Sequence, residues 1–107
     1  NGLIKGILGK DMAVEQGKLA ARQCAINLLA QVKVACDGDL DRLTQVIKLG
    51  GFVNSTPNFF EQPSIINGAS DFLVEILGEN GRHARTAVGA ILPLGVAVEI
   101  DGIFFIK

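Results

Sequence analysis

Between Asp11 and Cys36 the apolar positions Val14, Ala21, Cys24, Ala25, Leu28, Val32, Ala35 and Cys36 recur by threes and fours, the spacing of one helical face. Lys18, Arg22, Gln23, Asn27 and Gln31 fill much of the opposite side. Asp11 and Glu15 suit the N-terminal end of the helix dipole, and Gly38 follows as a C-cap. From Leu43 to Asn54, LTQVIKLGGFVN, the helical stripe is gone. The stretch is rich in β-branched residues and apolar on both sides, which predicts a central strand. Gly50-Gly51 within it predicts a bulge, or a close approach by another backbone or a ligand. Helical spacing returns after Pro63, with Ile65, Ala69, Phe72, Leu73 and Ile76 on one stripe and Gly78 ending it. Asn1 to Gly9 is glycine-punctuated and reads as a turn with a short extended piece, and Ser55 to Phe60 reads as loop.

The last stretch, Arg82 to Ile106, reads as two strands joined by the turn Pro93-Leu94-Gly95. Folding it as an antiparallel hairpin sorts the side chains by parity. Even positions (Ala84, Thr86, Val88, Ala90, Val96, Val98, Ile100, Phe104, Ile106) give an apolar face for the helices to cover. Odd positions (Arg85, Ala87, Gly89, Glu99, Asp101) give charges among small residues, and Leu49 and Val53 of the middle strand extend that open face. The order helix, strand, helix, strand, strand predicts an α+β fold in a single domain spanning residues 1–107.

Composition narrows the function classes. Of 107 residues, 49% are hydrophobic and 20% charged, enough to bury a core without disulfide or metal support. The net charge of −1 comes with no Lys/Arg cluster, so the footprint of a nucleic-acid binder is missing. No apolar run reaches the ~20 residues of a membrane span, and no signal peptide opens the chain. Cys24 and Cys36 share one predicted helix ~18 Å apart, too far for a bridge, and read as buried free thiols of a cytoplasmic protein. One histidine, His83, supplies metal sites poorly and reads as a loop hydrogen-bonder rather than a catalyst.

With these segments placed, the chain resembles the RidA/YjgF family, also known as L-PSP endoribonuclease, over essentially its whole length. The most telling segments are VIKLGGFVNSTPNF, INGASDFLVEILGENGRHARTAVG and LPLGVAVEIDGI. NGASDF and GRHAR are similar to one subgroup, distinct from the best-known enamine/imine deaminases. The resemblance implies a chorismate mutase-like fold, with two helices packed on one face of a mixed β-sheet, and a homotrimer with clefts between subunits. It also implies cofactor-free hydrolysis of small reactive enamines and imines, such as 2-aminoacrylate, to 2-keto acids and ammonia. Arg85 matches the family's carboxylate-gripping arginine, Asn67 its helical asparagine, and Glu99 the glutamate of its last strand. The chain departs from the family pattern in three places. The family's N-terminal hairpin is absent. Ala87 stands where the deaminases often carry cysteine. The span from Arg85 to Pro93 is one residue shorter than the family's spacing.

Each of these residues also has a plainer role. Arginine on a strand is usually a solvated charge, but Ala87 and Gly89 beside Arg85 leave its planar fork approachable by a carboxylate. Glu99 either neutralises a cation or activates the attacking water, and Asn67 either shapes a pocket or bonds a loop. Two readings other than hydrolase stay open. One is a non-catalytic module binding a keto acid through the same arginine. The other, less favoured, is a ribonuclease, against which the acidic balance argues.

Overall fold

The structure, a computed structural model, describes residues 3–107. Asn1 and Gly2, the start of the expected opening turn, lie outside the described residues. Its elements run α1 (Val14–Ala35), β1 (Leu43–Asn54), α2 (Gln62–Leu77), β2 (Ala84–Ala90) and β3 (Val98–Ile106). Helix α1 begins after Asp11 rather than at it. The Asp11 carboxylate is already accepting the Ile7 N–H at 2.7 Å in a preceding turn, and Gln16 reaches back to the Ala13 N–H at 2.8 Å. It ends where Asp37 and Gly38 turn left-handed and the Gly38 N–H reaches the Lys33 carbonyl at 2.8 Å. Pro63 sits in the first turn of α2, and Gly78, at φ 63°, caps its end.

The sheet has three strands in the order β2-β1-β3. β1 pairs parallel with β2 and antiparallel with β3, so it is central, as its two-sided apolar pattern predicts. Both helices cover one face. The result is the predicted α+β arrangement, two helices on a mixed three-stranded sheet. The core lies between the layers. Val46, Leu49 and Val53 of β1 pack against Ile65, Ile66, Ala69 and Leu73 of α2 and Ala21, Ala25 and Leu29 of α1. Each large aliphatic side chain fully buried there contributes about 1.5–3 kcal/mol.

The expected hairpin is corrected. β2 and β3 run in opposite directions, as a hairpin's strands do, but β1 lies between them. The link from Ile91 to Ala97 crosses the end of β1, where the Asn54 N–H donates to the Ala97 carbonyl and its side-chain amide donates to the Val96 carbonyl. A direct β2–β3 pair would leave β1 at an edge, with half its backbone groups short of partners in a buried setting.

The turn therefore carries no register from one strand to the other, and the parity reading fails for β2. On β3 the even residues Val98, Ile100, Phe104 and Ile106 do face the helices. On β2 the odd residues do, because Arg85 stands opposite Leu49 and Gly89 opposite Val53. Leu49 and Val53 are themselves core and not part of an open face. The ladder irregularities fall at Leu43/Gln45 and Val46/Lys48 rather than at the glycine pair. Gly50-Gly51 serves close approach instead. A Cβ on Gly51 would strike the Ile66 side chain, and one on Gly50 the Asp101 carboxylate.

The residues before α1 add a buried anchor that periodicity alone does not reveal. Leu8 is wholly buried, its N–H bonded to the Asn54 carbonyl at 2.8 Å and its own carbonyl to the Thr56 N–H at 3.0 Å.

Candidate functional site

Arg85 lies on β2, at one edge of the sheet, with its side chain turned under α2. One terminal nitrogen donates to Ser70 Oγ at 3.0 Å and the other to the Pro63 carbonyl at 3.3 Å. Arginine carries five N–H donors, so these two bonds fix the guanidinium plane and leave donors over. Both acceptors are neutral. The ion pairs among the described residues are Arg42–Asp37 and Arg82–Glu79, and Arg85 belongs to neither.

The guanidinium borders a shallow groove of about 290 Å³, lined by Asn67, Ser70 and Asp71 of α2 and by Arg82, His83 and Arg85 at the start of β2. The helical spacing of Asn67, Ser70 and Asp71 sets them on one side of α2, beside its buried stripe. Arg82 is steadied by the Glu79 carboxylate at 3.0 Å, and its carbonyl accepts from the Gln45 side chain of β1. His83 uses both ring nitrogens, Nε2 with Ser70 Oγ at 2.8 Å and Nδ1 with the Gly81 carbonyl at 2.6 Å.

The structure thus brings Arg85 and Asn67 to one groove and separates Glu99 from them. Glu99 stands opposite Phe52 on the other face of the sheet, exposed and away from the helices. The two candidates expected on one face of the sheet lie on opposite faces, because β1 runs between β2 and β3. His83 is the loop hydrogen-bonder that the sequence predicts, and it is also a member of the groove. Ser70 is a member of the groove, bonded to Arg85 and His83, that sequence reasoning misses. Its signal is present in NGAS and GRHAR, which fold to within hydrogen-bonding distance of one another.

Cys36 is buried, and Cys24 is half-buried with Sγ directed at the Val98 carbonyl, 3.6 Å away. Burial pushes the Cys24 thiol pKa up, and the Glu99 charge adds to the shift. Both thiols are free. No described helix is long and apolar enough to cross a membrane.

Residues 1–100 match the family model described as "YjgF/chorismate mutase-like, putative endoribonuclease". Protein TCP17 of Trypanosoma cruzi is 50% identical over 104 residues, covering 95% of this chain and 64% of that protein. The crystal structure of Atu1372 from Agrobacterium tumefaciens, a protein described as of unknown function, is 52% identical. It superposes with a TM-score of 0.95 over 96% of this chain and 66% of that one. A crystal structure from Shewanella oneidensis, carrying the same qualified endoribonuclease description, is 39% identical with a TM-score of 0.86, over 92% of this chain and 65% of that one. The chain spans slightly less than two thirds of each of these relatives.

Proposed function

Because the chain belongs to the YjgF/chorismate mutase-like family, we propose that its Arg85 groove binds a small carboxylate and hydrolyses the reactive enamine or imine attached to it, giving a 2-keto acid and ammonia. One observation carries this reading. A half-buried arginine, braced by two neutral oxygens and without an ion pair among the described residues, opens onto a polar groove. A carboxylate held by two parallel N–H···O bonds is the partner that such a fork suits, and lysine cannot reproduce it. Asn67 shapes the groove's helical wall. No cofactor enters the scheme, since an imine is already electrophilic and positioning supplies much of the acceleration.

In this reading the protein acts as a cytoplasmic homotrimer. The uncovered sheet face, bearing Ile103 at 59% exposure and Phe105 at 61%, forms the surface between subunits. Glu99 lies on that face and so serves the reaction only from a cleft where subunits meet. A non-catalytic keto-acid module is the second reading. The distance of Glu99 from Arg85 across the sheet favours it, since one protomer then lacks the expected water-activating carboxylate. RNA is the less favoured substrate for a chain of net charge −1.

The test is release of keto acid from enzymatically generated 2-aminoacrylate, with 2-keto acid binding measured alongside by calorimetry. Arg85→Lys keeps the charge and loses the bidentate geometry. Hydrogen bonds to charged groups contribute about 1.5–3 kcal/mol, so affinity or turnover should fall by roughly one to two decades. Undiminished binding by Arg85→Lys would reduce the arginine to a surface charge and defeat both readings. Binding without turnover in the wild-type protein would select the module.

A further inference from the structure

With a neutral imidazole, the hydrogen bonds around Ser70 have one consistent direction. A carbonyl can only accept, so the Gly81 oxygen requires a proton on His83 Nδ1, at 2.6 Å. In the neutral ring Nε2 is then an acceptor, and the Ser70 hydroxyl must donate to it across 2.8 Å. Arg85 can only donate, so its 3.0 Å bond to Ser70 Oγ uses a hydroxyl lone pair. When the imidazole takes up a proton, Nε2 becomes a donor. Ser70 Oγ then accepts from both His83 and Arg85, and its own hydrogen is released toward the groove. The two protonation states of His83 therefore switch Ser70 between giving its proton to the ring and presenting it to whatever Arg85 holds.

We propose that Ser70 and His83 form an acid–base relay beside Arg85, in which the Ser70 hydroxyl carries protons between His83 and an imine carboxylate bound in the groove. This rests on the hydrolase reading above and fills the place that Glu99 leaves empty within the protomer. In the first step water adds to the protonated imine carbon, forming the C–O bond while the C=N electron pair moves to nitrogen. The water's surplus proton passes through Ser70 to His83 Nε2, giving a neutral carbinolamine and an imidazolium. In the second step the imidazolium returns that proton through Ser70 to the amino nitrogen. The C–N bond then breaks with its electron pair leaving on ammonia, the hydroxyl proton departs to that ammonia, and the 2-keto acid remains. His83 ends as it began, and the sum is protonated imine plus water to keto acid plus ammonium.

Ser70 is the residue that would touch the reacting atoms, and His83 acts through it. The charged groups around the relay are Arg85 of β2, Asp71 of α2, and Arg82, which is held by Glu79. Gln45 on β1 meets the same loop through the Arg82 carbonyl and is uncharged, and Lys48 of β1, opposite Ala84, points to the other face.

The experiment measures 2-aminoacrylate hydrolysis against pH, and pyruvate affinity, for wild type, Ser70→Ala, Ser70→Thr and His83→Gln. General acid–base catalysis contributes about 10²–10⁴-fold, so Ser70→Ala should lower kcat by about 100-fold or more. Pyruvate affinity should fall much less than kcat, since Arg85 keeps its bond to the Pro63 carbonyl, and Ser70→Thr, which keeps a hydroxyl, should recover most of the rate. His83→Gln should lower kcat similarly and erase the acidic limb of the pH profile. Nitrogen-15 spectra of the wild-type ring should show the proton on Nδ1. Equal loss of kcat and pyruvate affinity in Ser70→Ala, or an acidic limb surviving in His83→Gln, would reduce the pair to supports for Arg85 and overturn the relay. An active wild type with undiminished Ser70→Ala would sink the relay alone. An inactive wild type would sink the hydrolase reading and the relay with it.

Discussion

Leu49 and Arg85 stand opposite one another on β1 and β2, and the pair decides which way β2 faces. With Leu49 fully buried beneath the helices, Leu49→Ala should destabilise the fold by about 2–5 kcal/mol. Val88, on the outward side of β2, should tolerate Val88→Thr within about 1 kcal/mol, as read by urea denaturation. The opposite ranking would restore the hairpin parity. Cys24 gives a second residue-scale test. Its pKa is raised, first by burial and then by Glu99, so the thiol form is favoured in the folded chain. Labelling of native Cys24 should be slow at neutral pH and accelerate only above the ordinary thiol range. Linkage has the matching sign. The thiol's contribution to stability is complete below the unfolded pKa and declines as pH rises through the folded one. Cys24→Ala should leave keto-acid binding nearly intact, and rapid neutral-pH labelling with loss of binding would contradict this placement.

At the scale of elements, α1 and α2 pack closely because glycines lie between them. A Cβ on Gly68 would run into the Lys18 carbonyl oxygen, and one on Gly17 would press the Ile65 side chain. Alanine in place of Gly68 improves helix propensity by about 1 kcal/mol, but forcing backbone apart costs about 1–3 kcal/mol. Gly68→Ala should therefore lower the melting temperature, while an unchanged or higher value would show that α1 can yield at no cost. Element types were legible in the sequence because a period of 3.6 marks the helices and β-branched apolar stretches mark the strands. Pro63, Gly38 and Gly78 mark helix ends, and only the start of α1 was misplaced, Asp11 being engaged in a preceding turn. Strand neighbours were not. Alternation reports which residues share a face of one strand, and carries no information on which other strand lies alongside. Arg85 and Asn67 were legible as candidates through the family pattern. Their separation from Glu99 depends on β1 entering between β2 and β3, and the role of Ser70 depends on α2 and the Gly81–His83 loop meeting in space.

For the whole molecule, the sheet face that the helices leave uncovered presents Ile103, Phe105 and Val88 among Glu99 and Asp101. If that face joins subunits, light scattering at micromolar concentration should give three times the monomer mass, and Phe105→Glu should disperse the assembly. A monomeric wild type would remove the intersubunit cleft. The strand order has a further consequence, for how quickly the chain reaches this state. Two strands adjacent in sequence end apart, each docked on a segment dozens of residues away, as when Leu43 meets Ile106 and Lys48 meets Ala84. A simple hairpin around Pro93-Leu94-Gly95 would close in about 1–10 μs, well before loop closure can deliver the middle strand. Such a pairing would be non-native and would have to come apart to admit β1. Refolding should accordingly fall in the millisecond-to-second range of non-local topologies, and the refolding limb should bend over at low denaturant as the early hairpin is stabilised.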